Sequence, residues 1–272
     1  MKMYYQTLLY FSIIGLFVFK SSAQIVTEDA RELKQIDVIE KLGEQIPLDL
    51  SFIDSKSKQI QLSNYFNSGK PVILTLAYYE CPMLCTFVLN GLSNGVGALS
   101  FNPGVDLQMI TVSIDPKETP KLAAAKQKNQ QAAIGRDVAK DGWEFLTGNE
   151  DQIKRLADAV GFIYYYDENR DEYAHAAVSF ILTETGEISR YLYGIEFKPN
   201  DLRFALMEAS QGKIGDTLDR LLLYCYHYDP DAKGYVIFAG NVMRIGGVIT
   251  VLILGGILTV FWRKEMRKRS LV

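Results

Sequence analysis

Cys81-Pro-Met-Leu-Cys85 sets two thiols four residues apart, directly after the run Pro71-Val-Ile-Leu-Thr-Leu-Ala-Tyr-Tyr-Glu80. Thiols so spaced can close a disulfide, or act together as thiolates on one soft metal ion. On a helix, residues i and i+4 share a face, so a helix opening at the pair would bring both sulfurs to one point. Free N–H groups in its first turn would lower the thiol pKa values, and Pro82 suits such a turn. A C-x-x-C spacing would suggest a thioredoxin-type catalyst; the extra residue loosens the ring and leans toward a chelate. The plainer alternatives are a structural disulfide or two buried free thiols. The mature domain has two histidines, His175 and His227. His175 stands just before an apolar strand-like run, and one imidazole with two thiolates would complete a trigonal Cu(I) site or three corners of a Cu(II) site. Cys225-Tyr-His227 offers either a second soft-metal pair or an aromatic connector at an interface, and stays outside the main site.

These residues need elements to position them. Strand-like and helix-like runs alternate from about residue 45 to about 212, the pattern of a layered α/β domain. Ile46 to Phe52 and Ile60 to Leu62 read as a hairpin, and Val72 to Ala77 as a buried central strand. The cysteine pair opens the next helix, where apolar residues recur at helical spacing through Leu99. Leu107 to Ile114 alternates into a second core strand. Thr119-Pro120 starts a helix with a threonine cap and proline at its first position, and residues 126–141 read as a solvated loop or helix extension. Trp143 to Leu146 is a short strand, and Asn149 caps a helix reaching Val160. Phe162 to Tyr166 is an aromatic segment before an acidic turn. Val178 to Leu182 and Ile188 to Tyr193 form a hairpin around Thr-Glu-Thr-Gly-Glu. Placed beside the central strand, that hairpin would carry the His175 loop to the edge where the cysteines emerge. Pro199 to Glu208 and Asp216 to Tyr224 read as further helices.

Both ends read as targeting or membrane segments. Residues 1–23 combine Lys2, an apolar stretch from Leu8 to Phe19 and Ser21-Ser22-Ala23, which reads as a signal peptide; an uncleaved anchor is the alternative, because Lys20 interrupts the approach to cleavage. Ile245 to Trp262 is an 18-residue stretch without charge, placed within a membrane segment over 236–262. The basic tail 263–272 would remain in the cytoplasm of a bacterial cell, with the domain facing the periplasm or exterior. The expected organisation is therefore a domain over 24–212, a connector over 213–235, the inner-membrane segment and the tail. Formal net charge is −3, and setting aside the basic ends leaves about −9 on residues 24–262. An acidic exported domain excludes a nucleic-acid partner. Three cysteines, Cys81, Cys85 and Cys225, are too few for a stapled scaffold, and a domain of this length needs no staples. In an oxidising compartment the close pair is better explained by redox or metal chemistry.

The segment Lys70 to Cys85, then Val112-Ser-Ile-Asp-Pro-Lys-Glu-Thr-Pro120, Trp143-Glu-Phe-Leu-Thr-Gly148, and His175 before a strand and glycine turn resemble the Sco/SenC family in order and spacing, over roughly residues 45–210. The resemblance implies a thioredoxin-like fold and a copper ion, Cu(I) or Cu(II), held by Cys81, Cys85 and His175. It further implies delivery of copper, or of reducing equivalents, to the binuclear copper centre of a respiratory oxidase subunit, with an upstream copper donor or thiol reductant as a second partner. It also places Asp115 in a loop near the site. Such a protein is a metallochaperone rather than a turnover enzyme; the rival is a thiol-disulfide oxidoreductase in which Cys81 and Cys85 cycle as a redox pair. Three departures stand out: Met83-Leu84 where the family often has a more polar pair, Thr86 where proline is usual, and a C-terminal rather than N-terminal anchor.

Overall fold

The computed structural model describes residues 38–81, 83–139, 141–211, 226–229, 234–237 and 239–269. The expected signal peptide, the helix over Asp216–Tyr224, Pro82 and Cys225 lie outside these residues.

Among them, seven strands make one mixed sheet flanked by helices, the layering of a thioredoxin-like fold. In chain order these are β1 (Ser51–Asp54), β2 (Gln59–Gln61), β3 (Val72–Ala77), β4 (Gln108–Ser113), β5 (Trp143–Thr147), β8 (Val178–Leu182) and β9 (Ile188–Tyr193). Across the sheet the order is β2-β1-β5-β4-β3-β8-β9. β3, β4 and β5 run parallel, which needs crossover helices, whereas β8 and β9 return antiparallel through a tight turn. The crossovers are α1 (Leu84–Gly97) and α2 (Pro120–Ala133); α3 (Glu150–Ala159) follows β5 and α4 (Pro199–Ala209) follows β9. Between α3 and β8 a separate ribbon pairs β6 (Tyr164–Asp167) with β7 (Glu172–His175).

β3 is buried along its whole length, and its side chains alternate between two cores. Val72, Leu74 and Leu76 join Ile153, Leu156 and Phe180 on the α3 side, while Ile73 joins Val88, Leu92, Trp143 and Leu202 on the α1 and α4 side. The alternation continues beyond the strand, with Tyr78 in the first cluster and Tyr79 in the second. Cys81 and Cys85 belong to the first cluster as well.

The opening strand is shorter than its apolar pattern suggests: Ile46 and Leu50 are buried but sit in irregular chain, and the ladder with β2 begins at Ser51. Thr119 accepts the Leu122 amide at 3.4 Å and Asn149 accepts that of Gln152 at 3.0 Å, so both expected caps form. α2 is less solvated than its composition suggests. Gln130 accepts from the Ser93 hydroxyl at 2.8 Å and donates to Asn90 at 3.0 Å, and Gln127 donates to the Trp143 carbonyl at 2.6 Å. These amides are buried because each has a polar partner across the helix interface.

Gly91 lets α1 press onto the segment before α4: a Cβ there would lie 2.0 Å from the Ile195 carbonyl oxygen. Gly91→Ala should therefore cost about 3 kcal/mol through backbone displacement, read as a lowered thermal midpoint; an unchanged midpoint would mean that the contact yields freely.

Beyond α4, a hairpin pairs β10 (Tyr226–Asp229) with β11 (Gly234–Ile237) and leads into α5 (Ala239–Arg269). The expected membrane segment began at residue 236, but Val236 and Ile237 are strand, and the helix starts at Ala239. Within it, Met243–Trp262 is long and apolar enough to cross a membrane. Thr250 and Thr259 donate their hydroxyls to the Gly246 and Gly255 carbonyls, at 2.8 and 2.6 Å. Satisfied hydroxyls of this kind are compatible with lipid.

Candidate functional site

The parallel strands β3 and β4 end beside one another, and the chain after β3 supplies both thiols. α1 begins at Leu84 rather than at Cys81, so only Cys85 lies in its first turn. Cys81 instead stands in the preceding loop, and its sulfur accepts the Cys85 amide at 3.3 Å. This satisfies one of the N–H groups that a helix start leaves free. The Thr86 hydroxyl donates to the Cys81 carbonyl at 3.1 Å and ties the same turn from its other side. Both cysteines are free thiols.

The loop is braced by Glu118, a buried carboxylate just before α2. It accepts the amides of Tyr79 and Glu80 at 2.6 and 2.8 Å and the Ser113 hydroxyl at 2.5 Å. Burial raises its pKa, and the three donors oppose that rise. The Tyr79 hydroxyl reaches the Leu146 carbonyl at 2.6 Å, fastening the loop to the sheet.

His175 ends β7, directly before β8, which pairs with β3. The expected juxtaposition occurs: Nε2 lies 2.9 Å from the Cys85 sulfur. Its Nδ1 is 2.9 Å from the Ala176 carbonyl oxygen, which can only accept. Nδ1 therefore carries the proton, and in the neutral ring Nε2 turns its lone pair toward Cys85. Burial lowers the His175 pKa and favours that neutral form. Phe162, at 5.7 Å between ring centroids, and Tyr78, at 6.3 Å, flank the imidazole.

The two thiols have opposite environments. Cys81 is drawn down to about 4, first by a hydrogen bond from the Cys85 thiol and further by donors from the Cys85 amide, the Tyr78 hydroxyl and the Met83 amide. Cys85 is pushed up, chiefly by burial and then by its donation to Cys81. Cys81 is thus the thiolate of the pair and Cys85 the thiol. Tyr78 is pushed up by burial and by its hydrogen bond to Cys81, so it stays a phenol and a donor.

A cavity of about 260 Å³ opens onto this group, lined among others by Tyr78, Cys81, Met83, Phe87, Tyr173 and His175. Asp115 stands one step back: the Tyr173 hydroxyl meets its carboxylate at 3.5 Å, and Tyr173 packs edge-on against Tyr78 at 5.5 Å. Burial and then the Asp115 charge push the Tyr173 phenol up to about 12. Among the described residues, no group of three or more His, Cys, Asp or Glu is already arranged to hold a metal ion. Cys85 stands between the other two, its sulfur 2.9 Å from His175 Nε2 and its thiol hydrogen-bonded to Cys81. The donor set nonetheless suits a soft ion, because two sulfurs and an imidazole lone pair meet at one buried spot.

Sequence reasoning missed Tyr78 and Glu118. The period-two alternation that places Leu74 and Leu76 on the α3 side also places Tyr78 there, and this signal was present in the apolar run. Glu118 lies three residues after Asp115, but its role depends on how the loop after β3 folds back. His227 lies in β10, away from any pairing with the site strands.

Residues 40–208 match the family model described as SCO1/SenC. No curated protein matches the chain. Among solved structures, a candidate electron transfer protein from Aquifex aeolicus VF5 is 26% identical with a TM-score of 0.56, over 64% of this chain and 96% of that one. ScoI from Arabidopsis thaliana, solved with copper bound, is 21% identical with a TM-score of 0.50, over 63% and 99%. A SCO1/SenC family lipoprotein from Bacillus anthracis str. Ames is 16% identical with a TM-score of 0.50, over 64% and 98%. At such identities the last two establish a shared fold.

Proposed function

The chain belongs to the SCO1/SenC family, and from that membership together with its site we propose that it binds copper as cargo, through Cys81, Cys85 and His175, and hands it to the binuclear copper centre of a respiratory oxidase subunit. The observation that carries the proposal is the 2.9 Å approach of His175 Nε2 to the Cys85 sulfur, with Nδ1 committed to a backbone carbonyl. A carbonyl that fixes the ring's tautomer is how proteins hold an imidazole for a metal. Cys81 offers a thiolate in advance, and Cys85 must release one proton as the ion enters. Cargo that has to be released is better served by a site that closes on loading than by one already complete. α5 anchors the domain in the inner membrane, with the domain on the periplasmic side and the basic end in the cytoplasm.

The test is copper stoichiometry on the full chain in detergent, reduced and loaded without oxygen. One copper per chain is expected, with loss in Cys81→Ser and Cys85→Ser. Retention in either variant would remove that sulfur from the ligand set.

A second reading draws on the asymmetry of the thiols. A thiolate lining an open cavity beside a thiol enclosed in the core is the arrangement of a disulfide exchanger. Cys81 would attack one sulfur of a client disulfide, the other leaving as a thiolate. Cys85 would then displace the mixed disulfide, passing two electrons to the client and leaving Cys81–Cys85 oxidised for an external thiol reductant.

A further inference from the structure

Met83 stands between the two cysteines with 62% of its surface exposed, more than any other large apolar residue described outside α5. The other methionines described in that portion, Met109 and Met207, are fully buried as core filler. Its neighbour Leu84 does the packing here, set against the core. Met83 instead lines the cavity shared by Cys81, Tyr78 and His175, and its own amide donates to the Cys81 sulfur. The backbone is thus tied to the site while the side chain lines its mouth.

Exposure forfeits the hydrophobic gain of burying this side chain. What a thioether has that leucine lacks is a soft, polarisable lone pair. It is uncharged and carries no proton, so it can join or leave a metal without an acid–base step. Thioethers, like thiolates, select cuprous copper over harder ions.

Resting on the copper reading above, we propose that Met83 is a third sulfur ligand for Cu(I), entering from the open side of the cavity and exchanging readily. Cys81, Cys85 and His175 then retain the ion, while Met83 marks the face at which an incoming ligand replaces it. The chain would favour Cu(I) over Cu(II) by this residue in particular.

The experiment is X-ray absorption at the copper edge on the full chain in detergent, reduced, oxygen-free and loaded with one equivalent of Cu(I). Met83→Leu is the comparison, because it keeps apolar volume and removes only the sulfur. Expected are one sulfur neighbour fewer in Met83→Leu, unchanged stoichiometry, and about tenfold weaker competition with a chromophoric Cu(I) chelator. Copper bound with the same sulfur count and the same affinity in both proteins overturns this inference and leaves the copper reading intact. Wild-type protein that takes up no copper overturns both.

Discussion

His175→Ala is expected to weaken copper retention by more than about a hundredfold while thiol-disulfide exchange by Cys81 and Cys85 changes little. The imidazole is the nitrogen of the proposed three-donor set, and its Nε2 already faces the Cys85 sulfur at 2.9 Å. Alanine removes that donor and leaves the sulfurs in place. It also leaves the Ala176 carbonyl without its Nδ1–H partner, a loss of about 1–2 kcal/mol. A seven-stranded sheet with two buried clusters can absorb that loss, so the variant should remain folded. The paired measurement is Cu(I) competition against a chromophoric chelator and a redox titration of the Cys81–Cys85 couple on the same preparation. If exchange falls as far as copper retention, His175 acts as a base for the thiols and the oxidoreductase reading gains. If copper retention is unchanged, the imidazole is not a ligand.

Alkylation of the copper-free, reduced protein should single out Cys81 by its pH profile. A thiol with the ordinary pKa of 9.0 is about one part in a thousand thiolate at pH 6, and its rate climbs tenfold per pH unit. Drawn down to about 4, Cys81 is almost wholly thiolate at pH 6. Its intrinsic nucleophilicity falls with its pKa, offsetting roughly two to two and a half of those three decades. The net advantage over an ordinary thiol at pH 6 is therefore about three- to tenfold. The more telling sign is a rate nearly flat between about pH 5.5 and 8, falling only as acid protonates the sulfur. Cys85, pushed up by burial and still protonated, should resist labelling until the domain unfolds. Peptide mapping by mass spectrometry assigns each label. Tyr78→Phe removes one donor to the thiolate, so the acid limb should move to higher pH. A Cys81 rate rising tenfold per unit through neutrality would show that the donors do not hold the thiolate.

Much of this architecture was written locally. The cap residues Thr119 and Asn149, the hairpin around Gly186 and the largely apolar β3 each depend on neighbours in the chain, and each forms where its residues indicate. The same holds for the apolar stretch of α5, because length and composition alone define it. The candidate site residues could be read for a related reason: soft donors are few in this chain, so Cys81, Cys85 and His175 stand out by type.

Tertiary structure decided how those residues differ. Two cysteines four residues apart become a thiolate and a thiol because one meets the Cys85, Tyr78 and Met83 donors at the cavity while the other is enclosed by the core. The start of α1 at Leu84 depends on Cys81 receiving an amide bond and on Glu118, 37 residues beyond Cys81 in the chain, holding the loop before it. His175 reaches Cys85 across 90 residues only because β8 lies antiparallel beside β3. Residue type and local periodicity are properties of the chain, whereas desolvation, hydrogen-bond partners and the shape of the cavity arise from segments distant in sequence and exist only after they pack.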